Sequence, residues 1–360
     1  MRIKKALFLG TLCTAVSGMS LFAQAGVSYA KSAKETTEAS SEEATEVETE
    51  EETSEEVTYP ITIEHAFGET VIESKPERIA TVGWGNQDTP LALGIVPVGV
   101  SAANYGLVTD HKLHLWTDEA FADLGVEEPV VFDDVDGLDF EQISDCNPDV
   151  ILAAYSGMTQ EDYDTLSQIA PVIPYKENPW QTSWREQTIE NAEGMGMKPE
   201  GEKKVKEVED LIAEKLEEYP ELEGIPTAFC WISADDFSTF YVYLPTDPRA
   251  AYLLDLGFTL PESVQKLAGE SKDFSITVSR ENADQLDDIE MMVVYGDENL
   301  VETLQEDKLM SQIPAIKNGA VVVLDSTSAL AASSTPSILS IPYEIDEYLE
   351  MFAKAAENIK

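Results

Sequence analysis

A motif that occurs twice constrains this chain more than any other feature. Residues 141–155 read EQISDCNPDVILAAY, and residues 281–295, 140 positions later, read ENADQLDDIEMMVVY. Each copy opens with a Glu entering a helix-like stretch, turns on acidic residues, and runs into strand-forming apolar residues. Each closes on a Tyr at the same spacing. Downstream, Leu166-Ser-Gln-Ile169 is echoed by Met310-Ser-Gln-Ile313. Two similar helix–strand–helix units predict two lobes of α/β architecture, and facing lobes leave a cleft that can bind a ligand.

The chain is long enough for two such domains at 360 residues, and 43% hydrophobic content suffices for real cores. The net charge of -46 repels phosphate backbones, which argues against nucleic-acid binding.

Residues 1–30 read as a secretory signal peptide. Arg2, Lys4 and Lys5 precede an apolar stretch from Ala6 to about Phe22, followed by small-residue sites at Ala23-Gln-Ala25 and Ser28-Tyr-Ala30. An uncleaved membrane anchor is the alternative. Cys13 is preceded by Leu12 where a lipoprotein signal would place a small residue, so a lipid anchor is not expected. Residues 31–58 hold eleven Glu against two Lys and few large apolar side chains, the composition of a self-repelling disordered linker. Cys146 and Cys230 each lie in an apolar stretch and read as buried free thiols; a disulfide between them stays open as the other reading.

From residue 59 the alternation is that of α/β units. Ile61–Ile63 and Thr70–Ile72 predict a hairpin, and Ile79–Val82, a Gly-bearing turn at Gly83–Asn86, a helix from Thr89 and a strand at Val96–Val100 predict a parallel unit. Ser183 and Glu186 form a capping box. Val205, Val208, Leu211, Ile212, Leu216 and Tyr219 fall on one helical stripe. The expected organisation is an N-terminal lobe at 59–180, connecting helices at 181–220 and a C-terminal lobe at 221–360.

Long segments resemble iron–siderophore substrate-binding proteins of ABC importers: PERIATVGWGNQDTPLALGIVPVGV (76–100), residues 139–175, PWQTSWREQTIE (179–190), FSTFYVYLPTDPRAAYLLDLGF (237–258), residues 278–296 and IPAIKNGAVVVLD (313–325). The order matches over most of 59–355. The resemblance implies two Rossmann-like lobes with central parallel sheets, joined by a single long helix, with a ferric chelate held between them and no covalently bound cofactor. It implies two partners, an ABC permease and its ATPase, and delivery from the cell envelope, on the extracellular face or in the periplasm. It also implies that one acidic residue per lobe docks on the permease, and Glu141 and Glu281 stand at those positions; a helix N-terminus would equally favour such charges. The chain is expected to act as a monomer.

In open parallel sheets ligands sit beyond the carboxyl ends of strands. The residues predicted there are Trp84, Gly85, Asn86, Tyr155 and Ser156 in the first lobe, and Trp231 and Tyr295 in the second. Trp180, Trp184 and Arg185 precede the connecting helices, while Phe240, Tyr241 and Tyr243 cluster near Arg249. Aromatic walls with a few donors suit a bulky, oxygen-rich chelate, and a guanidinium fork suits chelating oxygens. Arg249 could instead pair with Asp247 or Asp255. Only four arginines follow the signal, Arg78, Arg185, Arg249 and Arg280, too few for a strongly anionic triscatecholate complex, so a hydroxamate-type siderophore is expected. Haem, cobalamin and a bare metal ion are the alternative ligands. His111-x-x-His114 reads as solvated histidines rather than a metal site. An enzyme or an adhesion protein remains as a further class, although no G-x-S-x-G, P-loop or H-E-x-x-H motif occurs.

Overall fold

The computed structural model describes residues 57–360 except 135, 136, 234, 235 and 237. The signal-peptide reading, Cys13 and nearly all of the acidic linker lie outside the described residues.

A hairpin comes first, β1 (Ile61–His65) against β2 (Gly68–Ile72). There follow β3 (Ile79–Thr81), α1 (Asp88–Ala92), β4 (Gly99–Ser101), α2 (Leu115–Asp123), β5 (Val131–Phe132), α3 (Phe140–Asp145), β6 (Val150–Ala153), α4 (Gln160–Leu166) and β7 (Val172–Pro174). The link holds two helices, α5 (Trp184–Gly194) and α6 (Lys198–Leu216). The second lobe runs β8 (Thr227–Trp231), β9 (Thr239–Tyr243), α7 (Pro248–Asp255), α8 (Glu262–Ala268), β10 (Ser275–Ser279), a 3-10 turn (Arg280–Gln285), β11 (Met291–Tyr295), α9 (Leu300–Glu306), α10 (Pro314–Asn318), β12 (Val321–Leu324), α11 (Ala329–Ser333) and α12 (Ser340–Ala356).

The strand orders are β5-β4-β3-β6-β7 and β10-β9-β8-β11-β12. Numbered within each lobe, both are 3-2-1-4-5, so the repeated motif fills one topological slot twice: α3 into β6, and the 3-10 turn into β11. The first sheet is parallel throughout. The second departs from the all-parallel expectation, because β9 runs antiparallel to β8 and β10. The connection from β8 to β9 is too short for the crossover that a parallel neighbour needs.

Burial explains the apolar runs. β3 and β6 have helices over both faces and are fully buried along their length, as covered parallel strands must be. Ser183 and Glu186 form the predicted reciprocal cap of α5. Gly194 lets α5 lie on the first sheet, since a Cβ there would stand 2.6 Å from Ile173. The stripe of α6 goes elsewhere. Val205, Val208 and Ile212 pack with Phe229, Tyr252, Leu349 and Phe352 in the core of the second lobe. Each of those aliphatic side chains stabilises the docking by about 1.5–3 kcal/mol.

The lobes also touch away from the link. Gly106, at φ +75°, leaves room for Ala332 and the Ser328 carbonyl, both under 3 Å from a Cβ placed there, and Leu107 N–H donates to Ser328 O. Ser337 donates to the Asp88 carboxylate, which also accepts from Trp116 Nε1 at 2.9 Å and Thr117 Oγ1 at 2.8 Å. Gln181 Nε2 donates to the Lys272 carbonyl. Both Cys146 and Cys230 are free, Cys230 buried and Cys146 only half-buried. Among the described residues no helix is long and apolar enough to cross a membrane.

Candidate functional site

The 3-2-1-4-5 order puts a topological switch between β3 and β6 and another between β8 and β11, where ligands collect in α/β sheets. Two adjoining cavities lie there. The first, about 280 Å³, belongs to the N-terminal lobe and is bordered by the turns after β3, β4 and β6. The second, about 390 Å³, has walls from both lobes: Trp84, Tyr105, Tyr155 and Trp180 on one side, Trp231, Tyr243, Arg249, Phe274 and Tyr295 on the other. Trp84 and Trp180 border both cavities.

The turn after β3 needs its glycine. Gly83 has φ +84°, and a Cβ would stand 2.8 Å from the Tyr155 carbonyl. Trp84 N–H donates to that carbonyl at 3.2 Å. Asn86, fully buried, staples the two turns: Nδ2 donates to Val82 O and Tyr155 O, and Oδ1 accepts from Tyr155 N–H, Gln187 and Asn191. Its polar atoms are spent on this scaffold and none faces a cavity. Ser156 likewise commits its hydroxyl to Ala153 O.

Trp180 stands in the left-handed region at φ +61° and is 42% exposed at the mouth. Such backbone strain in a non-glycine residue gathers at ligand sites. Its indole meets the Tyr155 ring edge-on at 5.3 Å and covers Gly157, where a Cβ would fall 2.4 Å from the indole nitrogen.

Across the cleft Arg249 opens α7. Its guanidinium forms two bonds with Asp247, at 2.8 and 2.6 Å, and stacks on Tyr243 with 3.8 Å to the ring centroid. Asp247 is 1% exposed and also accepts the Arg249 N–H as the helix cap. Burial opposes the guanidinium charge, but the Asp247 bonds outweigh it and hold the group protonated. Tyr295 hydrogen-bonds Ser334 at 2.8 Å and meets Tyr105 of the other lobe edge-on at 5.6 Å. Burial raises the phenol pKa of Tyr105, Tyr155 and Tyr295, and pushes Tyr243 up to about 12. These phenols are neutral donors rather than phenolate ligands.

Of the residues expected from sequence, Trp84, Gly85, Tyr155, Ser156, Trp180, Trp231, Arg249 and Tyr295 line one cavity or the other. Four do not. Asn86 lies beneath the floor. Trp184 is buried, with Nε1 donating to Asp255, and Arg185 is bonded to Glu209 at 2.6 Å and Asp255 at 2.7 Å, joining α5 to α6 and α7. Tyr241 packs on Trp231 at 5.7 Å, outside the lining. Glu141 and Glu281 are exposed, each opening the turn that feeds β6 or β11.

Sequence reasoning missed Tyr105, Phe274, Gln87, Ser101 and Asp134. It also misjudged His114, which is buried rather than solvated. That ring stacks on Trp116 at 4.6 Å and lines the first cavity, and burial lowers its pKa to about 4. His111 pairs with Asp118 instead, so the two histidines do not converge. Among the described residues no group of three His, Cys, Asp or Glu could hold a metal ion.

A family model described as periplasmic binding protein matches residues 79–327. The crystal structure of PiaA from Streptococcus pneumoniae TIGR4, in complex with ferrichrome, is 48% identical, covers 83% of this chain and all of its own, and superposes with a TM-score of 0.80. The petrobactin-binding protein YclQ of Bacillus subtilis (strain 168) is 25% identical over 306 residues, 81% of this chain and 88% of its own. YhfQ of the same organism, a putative ABC transporter substrate-binding lipoprotein, is 24% identical over 74% of this chain and 81% of its own.

Proposed function

The chain belongs to the periplasmic binding protein family, and we propose that it is the extracytoplasmic solute-binding component of an ABC importer, capturing a ferric siderophore of hydroxamate type and handing it to the permease. The observation that carries this reading is the charge balance of the cleft. Among the described residues Arg249 is the arginine that lines the second cavity; Asp247 neutralises it, and the tyrosines around it are neutral. A triscatecholate complex would bring several unpaired negative charges into that space, whereas a ferric trihydroxamate brings none. Indole and phenol walls cover its apolar linkers, and phenol and guanidinium N–H and O–H groups meet its oxygens. The 48% identical relative holding ferrichrome supports the same ligand class.

Titration of intrinsic tryptophan fluorescence tests it. Ferrichrome should quench to saturation, and a ferric triscatecholate should not; nanomolar catecholate binding with no hydroxamate binding overturns the reading.

Export by residues 1–30, a spacer at 31–58 and action as a monomer complete the proposal. Leu12 before Cys13 speaks against a lipid anchor even though the relative YhfQ is named a lipoprotein. Glu141 and Glu281, exposed at matching places in the two lobes, are the proposed contacts with the permease, which its ATPase drives. Reversing both charges should abolish uptake and leave ligand affinity unchanged. A loss of affinity would remove the docking role.

A further inference from the structure

We propose that the first cavity is a donor-recognising subsite: Asp134 and Gln87 accept hydrogen bonds from an ammonium or N–H group on the periphery of the ferric chelate, whose iron centre lies in the second cavity. The inference rests on the hydroxamate reading and names what that same site selects.

The cavities share Trp84 and Trp180, so one ligand can span both. Their linings differ in charge. The second cavity presents the Arg249 guanidinium, held by Asp247, together with phenol hydroxyls. Among the described residues the first has no Lys or Arg in its lining and includes the acceptors Asp134 and Gln87. Gln87 is only 5% exposed and lines this cavity. Its Oε1 is buried and has no hydrogen-bond partner among the described residues. Buried acceptors without donors are rare because they are costly, and one lining a ligand cavity asks for a ligand donor.

Asp134 makes the same demand. It receives a bond from Ser101, whose oxygen in turn accepts the Gly83 N–H at 3.1 Å. A carboxylate has room for further donors beyond that one. Burial raises the Asp134 pKa, a penalty that an ammonium or N–H group alongside would offset. His114 supplies no competing cation. Its Nε2 lies 3.1 Å from the Tyr105 carbonyl and so carries the proton of a neutral ring. A purely aliphatic ligand arm would leave both acceptors unmet.

Three probes test the subsite: ferrioxamine B, a linear ferric trihydroxamate ending in an ammonium; its N-acetyl derivative, with the ammonium capped; and ferrichrome, whose N–H groups are peptide amides. Wild-type protein should bind the ammonium form about tenfold more tightly than the capped form, and Asp134→Asn should erase that preference. A loss of about tenfold for ferrichrome in Asp134→Asn would show that a peptide N–H fills the subsite; an unchanged ferrichrome affinity beside a lost preference assigns it to the ammonium. Gln87→Met, which removes the orphaned acceptor, should weaken whichever probe Asp134→Asn weakens. If wild-type protein binds all three probes but neither prefers the ammonium nor responds to Asp134→Asn, the subsite is wrong and the hydroxamate reading stands. If none of the three binds, both fall. A wild-type preference for the ammonium form establishes the subsite even where a variant melts early.

Discussion

At the scale of single residues, the cleft depends on atoms that are absent as much as on those present. Gly157 exists so that the Trp180 indole can lie over it; Gly157→Ala should displace the indole and weaken ligand binding by about tenfold, with a melting temperature close to wild type, as read by titration and thermal melts. Arg249 depends on Asp247 in another way. Asp247→Ala leaves a guanidinium, 19% exposed, without its counter-charge and removes the cap of α7, so it should lower unfolding stability by about 3–5 kcal/mol in urea titrations. Residue identity was the part of the site most legible in the sequence: Trp84, Tyr155, Trp231 and Tyr295 follow directly from where strands end. Direction was not legible. Nothing in the local pattern tells that Asn86 and Trp184 turn inward to scaffold bonds, or that Asp134, inside an acidic loop, turns toward a cavity. Those outcomes follow from long-range partners such as Gln187 and Asp255.

At the scale of elements, periodicity fixed what it could. The α6 stripe was readable as a buried face because 3.6-residue spacing needs no partner to be recognised. Which lobe received it was not, since both lobes offer apolar surfaces, and only the packing with Phe229 and Phe352 decides. Ile212→Ala should cost about 2–5 kcal/mol, whereas Lys206→Ala, on the solvent face and paired with Asp210, should change stability by under about 1 kcal/mol. Chemical denaturation of the two variants checks the assignment. The doubled motif foretold paired lobes, but the reversed direction of β9 was hidden, because strand polarity depends on connection length in three dimensions and not on the apolar pattern.

For the whole molecule, acidity is the governing quantity. Burial lifts the carboxyl pKa of Asp88 to about 6 and of Glu190 and Glu344 to about 7. The folded state therefore binds more protons than the unfolded chain between about pH 4 and 7, and the stability these groups contribute is present at acid pH and lost as pH rises through 6 to 7. His114, lowered to about 4, works the other way and subtracts stability as pH falls from about 6.5 to 4. Three carboxyls outweigh one imidazole, and acidification also relieves self-repulsion at a net charge of -46. The melting temperature should rise from pH 8 to a maximum near pH 5–6, and Glu190→Gln with Glu344→Gln should flatten the rise. A melting temperature that falls steadily over that interval would contradict the assignment.

The lobes meet through Gly106 against Ala332, through Leu107 on Ser328 and through Ser337 on Asp88, besides the two helices of the link. Bracing at several points means that widening the cleft breaks bonds between the lobes as well as bonds to whatever lies between them.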